Sequence, residues 1–370
     1  MRVAFYASDA MPFAPAAVST TPLGGVELAL FSMARALAAL GHEVLVLNRC
    51  GGGAGEHQAV RYMDVEADRA RWQATLRERP ADALVVVRRF MDVNAPVPCR
   101  VKIYWAVDFL GVSHDFPASP VSRALAVKWR QWTGPLFTRR VDLVFVISRY
   151  MGDLFAYLFR TPQSRIVVTR HGIDPSEFAP VAVDKEPLRF IHTSVPDRGL
   201  DVLLSAIFPR VRAQFPEATL HLFSYRPLDR YREMNLPGVV VHGSVPRADL
   251  VRELGRSTLM LYPNTAEEMF CIAAVEAQAA GTPVVTSDRG ALPEVVVHGE
   301  TGVIVPGPTA DPAFADRFAA AVGALVRDPP RLAALAARAR ERALTRYRWD
   351  TVAREWSAII GDALRVRSHR

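Results

Sequence analysis

Short apolar runs rich in Val, Ile and Leu alternate along this chain with longer segments whose apolar residues recur at helical spacing. In the first half the short runs are Arg2–Ala7, His42–Leu47, Ala83–Val87, Val101–Trp105 and Leu143–Ile147, and Gly25–Leu40 is the first helical segment between them. A polar, Pro-containing stretch at Pro175–Pro187 interrupts the pattern. The alternation then restarts with Arg189–Thr193, Thr219–Ser224, Val239–His242, Leu259–Leu261, Val284–Thr286 and Gly302–Val305. The Ala- and Arg-rich end, Pro330–Arg370, reads as two helices. Strands that alternate with helices predict a doubly wound α/β fold with a parallel sheet, and the interruption predicts two such domains. Ligands of such sheets sit at the carboxyl ends of the strands.

The length, 370 residues, suits two domains better than one core. A hydrophobic share of 50% with 22% charged residues fits a soluble globular protein. The net charge of +7 raises the question of an acidic partner. However, only Lys102, Lys128 and Lys185 are lysines among 45 basic residues, so genomic base composition explains the arginine bias. No nucleic-acid-binding motif accompanies it, and nucleic acid is not an expected partner. Cys50, Cys99 and Cys271 are scattered and suggest neither a zinc site nor a disulfide framework. The N-terminal MRVAFYASDAM reads as a strand rather than a signal peptide, and no apolar run approaches the ~20 residues of a membrane span. A reduced, cytoplasmic setting follows. Segment 119–140 mixes Arg, Lys and Trp at near-helical spacing. It reads first as a half-buried helix of the N-terminal domain, and second as a surface for peripheral contact with the anionic inner face of a cell membrane.

The densest chemistry lies in residues 267–305, EEMFCIAAVEAQAAGTPVVTSDRGALPEVVVHGETGVIV. Glu268 and Glu276 bracket the apolar stretch Phe270 to Val275, and a helical run continues to Ala280 before Gly281-Thr282-Pro283 breaks it. Gly290 and Pro293-Glu294 open a further turn and helix. A helix start of small and apolar residues offers free N–H groups and a positive dipole end, a seat for phosphate. Ile272 and Glu276 are four apart and share a helix face; Glu268 lies before the helix and Glu276 inside it, so these two carboxylates could edge one elongated ligand. The alternative is an N-terminal surface acid plus a helix-face acid.

Weaker signals surround this block. Gly24 and Gly25 in PLGGVE would let a ligand approach the backbone, or form an ordinary turn between strand and helix. The irregular stretch Ser8–Thr21 is a candidate substrate-covering loop. Arg198 in TSVPDRGLD, ahead of a helix at Asp201–Phe208, could neutralise phosphate charge or pair with Asp197 or Asp201. Ser148 ends a strand, and His171 in RHGID touches a ligand or is a structural histidine. Asp108 follows a buried strand, a position suited to a cleft or to a helix cap.

Together these motifs resemble the retaining nucleotide-sugar glycosyltransferases of GT-B family 4, glycosyl transferases group 1, over almost the whole chain. The connected block E-x7-E with EAQAAGTPVVTSDRGALPE is the most specific part; TSVPDRGLD, RHGID and the Gly-Gly-Val-Glu loop fit the same family. The resemblance implies two Rossmann-like domains facing a deep interdomain cleft. Residues 1–174 would form the acceptor side, 175–187 the linker and 188–348 the donor side, with a helix at 349–370 packing back on the N-terminal domain. It implies catalytic roles for Glu268, Arg198 and Asp108. Glu268 would meet the donor sugar hydroxyls, near the backbone of Phe270 and Cys271. Ile272 and Ala273 would hold the diphosphate with their N–H groups, Glu276 the ribose and Val245 the base. Gly24, Gly25 and Ser194 would complete the donor contacts.

A DxD motif is lacking, so no metal and no cofactor are expected beyond a UDP or GDP sugar as co-substrate. The acceptor would be a growing glycan, a lipid or a small molecule. Two positions depart from the family pattern: Thr193 replaces a common Arg, and Cys271 replaces a usual Gly. The rival readings are a non-catalytic sugar-nucleotide-binding protein and another GT-B enzyme, such as a nucleotide-sugar epimerase. A glycogen-phosphorylase-like enzyme would need a cofactor lysine, and the second half offers only Lys185.

Overall fold

The computed structural model describes residues 1–17, 24–108, 120–179 and 184–368. The end of the expected loop Ser8–Thr21, Ser119 and the centre of the expected linker lie outside the described residues. The described chain forms two units. The first gathers the residues up to Gly172 together with those from Trp349 onward, and the second is Ile173–Arg348.

The first unit is built on an eight-stranded sheet. Its centre is β1 (Arg2–Ala7), paired in parallel with β2 (Glu43–Asn48) on one side and β5 (Ala81–Val87) on the other. Beyond β2 come β4 (Val60–Asp64) and the antiparallel β3 (Gly55–His57); beyond β5 come β6 (Cys99–Ala106), β7 (Leu143–Val146) and β8 (Ile166–Val168). The helices are α1 (Gly25–Ala39), α2 (Arg69–Glu78), α3 (Pro120–Thr138) and α4 (Arg149–Phe159). Val85, Val86 and Val87 are all fully buried, so both faces of the sheet are covered, as a parallel sheet requires. The expected strands of this half are all present. β3, β4 and β8 were not foreseen, because β3 and β8 have three residues each and β4 carries an exposed Arg61 in its run.

The second unit holds a six-stranded parallel sheet in the order β11-β10-β9-β12-β13-β14. These strands are β9 (Arg189–Thr193), β10 (Thr219–Phe223), β11 (Val239–Gly243), β12 (Leu259–Tyr262), β13 (Val284–Ser287) and β14 (Gly302–Val305), each where the apolar runs predict one. The stretch read as a linker opens with a one-turn helix, α5 (Pro175–Phe178). The helix expected at Asp201–Phe208 is longer. It starts as α6 (Leu200–Val202), widens into a π turn at Leu203–Ile207 and continues as α7 (Phe208–Gln214). Pro209 has no N–H to close a bond to residue 205, which breaks the α ladder there. The remaining helices are α8 (Asp229–Glu233), α9 (Arg247–Arg256), α10 (Ile272–Ala279), α11 (Leu292–Val295), α12 (Pro312–Val326) and α13 (Pro329–Arg346).

The last helix, α14 (Trp349–Ser368), belongs to the first unit. Trp356 is fully buried there, edge-on to Trp105 at 4.8 Å and to Phe145 at 4.6 Å, and its indole N–H donates to Thr169 Oγ1 at 2.8 Å. The C-terminal helix therefore completes the N-terminal core, as the family resemblance implied.

Candidate active site

In the second sheet the chain runs from β9 outward to β10, then returns to place β12 on the other side of β9. Loops leaving the carboxyl ends of β9 and β12 therefore diverge at a topological switch point, where such folds bind ligands. The two loops touch. Gly199 in the β9 loop has φ +89°, and a Cβ there would lie 2.1 Å from the Pro263 carbonyl oxygen of the β12 loop. Only glycine allows that approach with that backbone.

The β12 loop is fastened from several sides. The buried hydroxyls of Thr286 and Ser287, at the end of β13, donate to the carbonyls of Tyr262 (2.8 Å) and Asn264 (2.7 Å). Asn264 donates to Ala266 O and accepts from its N–H. Gly290, with φ +59°, abuts the Glu268 carbonyl, where a Cβ would stand 2.1 Å away. Ala291 N–H donates to that same carbonyl at 2.7 Å. The turn at Gly290 therefore holds the backbone that presents Glu268.

The Glu268 carboxylate accepts from the Tyr262 hydroxyl at 2.9 Å and from Met269 N–H at 3.2 Å, and lies 3.7 Å from Arg198 Nη1. Ser194 also hydrogen-bonds the Tyr262 hydroxyl, which burial keeps protonated by raising its pKa. Burial works against the Arg198 charge, but Glu268, Tyr262 and Asp197 outweigh it and raise its pKa. Arg198 is thus no surface cation paired with Asp201, whose carboxylate instead accepts from Tyr231. The structure brings Ser194, Arg198, Glu268 and Cys271 together around Tyr262, which the sequence reading did not single out.

Cys271 precedes α10 in the left-handed conformation, φ +71° and ψ 75°. A side chain there costs about 1–2 kcal/mol relative to glycine, which explains the glycine usual in the family. Burial, reinforced by Glu268, pushes the Cys271 thiol up, so it stays protonated. The first backbone bond closing the helix is Val275 N–H to Cys271 O. The N–H groups of Ile272 and Ala273 therefore lack an acceptor within the helix and form its positive end. Phe270 packs inward, edge-on to Tyr347 at 5.8 Å.

Glu276 lies one turn along α10, buried, with Arg247 Nη1 at 2.6 Å. Arg247 also reaches Glu177 at 2.8 Å. Burial raises the Glu276 pKa and Arg247 counters it. The helix-face acid is thus half of an ion pair, and its partner was missed. Arg247 opens α9, two residues after Val245. Thr193 is buried, and its hydroxyl has no partner among the described residues.

The remaining candidates lie in the first unit. Gly24 caps α1, and a Cβ on it would press on the Glu27 carboxylate, 2.5 Å away. Glu27 in turn accepts from Met11 N–H at 2.8 Å, which holds it beside Gly24. Gly25 is the first residue of the helix. Asp108 pairs with Arg88 at 2.9 Å. Asp9 is close by, its pKa raised by burial and lowered by Arg88. Ser148 caps α4, accepting from Met151 N–H, and is structural. His171 lies between the rings of Trp105 and Trp349, and burial pushes its pKa down to about 3, so it is a neutral core histidine.

Lys185 is committed to the carbonyls of Gly255 and Ser257 and to Thr282 Oγ1, at 2.7–3.2 Å, which removes it as a cofactor lysine. Among the described residues, His221, His242 and Glu253 have metal-ligand spacing. Arg189, however, donates to His221 Nε2 at 2.9 Å, which puts the proton on Nδ1 and directs it to His242 Nε2, also 2.9 Å away. Hydrogen bonds satisfy that group.

Residues 23–177 match the family model described as Glycosyltransferase Family 4, and residues 189–328 the model described as Glycosyl transferases group 1. The chain belongs to the family 4 glycosyltransferases. This glycosyltransferase is 26% identical to glycogen synthase of Mycobacterium tuberculosis, over 90% of its own length and 89% of the relative's. It is 29% identical, over 60% of its length and 62% of the other's, to a GDP-mannose-dependent alpha-(1-6)-phosphatidylinositol monomannoside mannosyltransferase of the same species. The fold is shared with a sucrose-phosphate synthase from Thermosynechococcus elongatus, with TM-score 0.76 and 20% identity over 99% of this chain and all of that one. The Anabaena protein HepE in complex with UDP-glucose gives TM-score 0.67 and 19% identity over 98% of this chain and all of HepE. These neighbours are GT-B glycosyltransferases, and the enzyme's two parallel-sheet units are Rossmann-like.

Proposed function

We propose that this glycosyltransferase moves a sugar from a nucleoside-diphosphate sugar to a hydroxyl of a glycan, lipid or small-molecule acceptor, with retention and without a metal. The observation that carries this reading is the Arg198–Glu268–Tyr262 cluster beside the open N-terminus of α10. The diphosphate rests on the N–H groups of Ile272 and Ala273 and on Arg198, where dipole and guanidinium oppose the charge of two phosphates. Glu268, fixed by Tyr262, accepts from the sugar hydroxyls. Glu276 takes the ribose and Val245 the base through its backbone. Gly24, Gly25 and Asp108 are the first unit's candidates for the same reaction.

In the reaction, the bond between the anomeric carbon and the diphosphate oxygen breaks while the acceptor oxygen bonds to that carbon on the same face. The acceptor proton passes to the departing diphosphate. No side chain is asked to be a nucleophile, and the protonated Cys271 thiol suits that scheme. Catalysis then rests on positioning and on stabilising charge on the leaving group. One relative's dependence on GDP-mannose and the UDP-glucose bound by HepE support UDP and GDP as the nucleotides to test.

The test is a thermal-shift screen over nucleoside diphosphates, followed by hydrolysis assays with the matching sugar donors, with and without EDTA. The reading expects UDP or GDP to raise the melting temperature and the donor to be cleaved with EDTA present. Binding without hydrolysis or transfer would favour the non-catalytic alternative.

A further inference from the structure

The helix α3 presents its apolar side outward. At 100° per residue, Leu125, Trp129, Trp132 and Leu136 fall within an arc of about 60°. All are exposed, Trp129 by 61% and Trp132 by 75%. Other positions of the helix face inward. Thr133 and Thr138 are buried, and Gly134 lies so close to α4 that a Cβ would meet the Phe159 backbone at 2.6 Å. Gln131 donates to the carbonyl of Tyr157, whose ring is exposed as well. The helix is half-buried in the first unit, as expected, but the side it leaves exposed carries four large apolar residues, where a helix ordinarily buries them.

The charged residues of the segment have a single sign. Residues 116–141 contain no Asp or Glu, and they carry Arg123, Lys128, Arg130, Arg139 and Arg140. Arg139 and Arg140 follow the helix and, with Lys102 and Arg367, line a polar cavity of about 370 Å³ in which Asp142 is the one lining acid. Tryptophans on one helix face, with Lys128 at its edge and Arg139 and Arg140 just past the helix end, match the boundary between lipid headgroups and acyl chains, and an anionic leaflet attracts such a cluster.

We propose that α3 docks the first unit on an anionic lipid bilayer. Leu125, Trp129, Trp132 and Leu136 enter the interface, and Lys128, Arg139 and Arg140 meet the lipid phosphates. This inference concerns the first unit alone and stands or falls independently of the donor reading.

The test is co-sedimentation of the full chain with vesicles of phosphatidylcholine, alone or with about 30 mol % phosphatidylglycerol. The protein is expected to pellet with the anionic vesicles only, and to be released as salt rises. The double variant W129S/W132S should lose at least about tenfold in vesicle affinity while melting like the wild type. A second measurement needs no variant: brominated lipids should quench part of the tryptophan emission, since Trp129 and Trp132 are exposed and the other four tryptophans are buried. Absence of pelleting and quenching would overturn the proposal. So would a W129S/W132S protein that pellets like the wild type, or a wild-type dimer that this variant converts to monomer, which would assign the face to a second copy.

Discussion

Cys271 sits in a left-handed backbone where family members usually have glycine, next to the N–H groups proposed to hold the diphosphate. Two outcomes follow at this residue. Cys271→Val puts a β-branched side chain on φ +71° and should destabilise by roughly 1–3 kcal/mol, read by urea denaturation. In the native protein the buried, raised thiol should resist alkylation at pH 8, with modification by mass spectrometry appearing only on unfolding. Tyr262→Phe removes the hydroxyl that fixes Glu268 and should lower donor turnover by about tenfold, with nucleotide affinity nearly unchanged. The two glutamates were legible because both belong to one contiguous block with a recognisable helix start. Tyr262 and Arg247 were not. Tyr262 follows directly on the apolar run read as Leu259–Leu261 and carries no motif of its own, and Arg247 lies 29 residues from Glu276 with no spacing that links them.

At the scale of elements, the strands of the second sheet were fully legible, since each is a short apolar run between turn residues, even the half-exposed edge strand β11. Elements decided by tertiary contact were harder to read. The strands β3 and β8 have three residues each, too few for an alternating pattern. The π turn before Pro209 comes from a missing donor rather than from any apolar period. Most instructive is α3. Its sequence shows an amphipathic helix, but periodicity cannot tell which face the protein covers, and here Leu125, Trp129, Trp132 and Leu136 are left exposed while Thr133, Gly134 and Thr138 are buried. The packing of α14 yields a prediction of its own. Trp356→Ala removes a fully buried ring and its bond to Thr169, and should cost the first unit about 3–5 kcal/mol, measured as its chemical unfolding transition.

The molecule as a whole consists of two α/β units, each with a neutral histidine locked in its core. Burial lowers His171 to about 3 and His192 to about 4, below the ordinary value near 6.5. Above pH 6.5 both histidines are neutral whether folded or not. Between pH 6.5 and about 4 only the unfolded chain takes up the protons. Stability should therefore fall as pH drops through that window, by up to about 1.4 kcal/mol per pH unit for each histidine. Denaturation midpoints at pH 7 and pH 5 would measure it, and His171→Gln should flatten the response of the first unit. The central claim is that α10 and its two glutamates form the donor site. It is tested most directly by measuring nucleoside-diphosphate binding and donor hydrolysis side by side in the wild type, Glu268→Ala and Glu276→Ala. Glu268→Ala should bind the nucleotide within about threefold of the wild type yet turn over at least about a hundredfold more slowly, and Glu276→Ala should weaken binding itself. Donor use unchanged by either substitution would contradict the assignment.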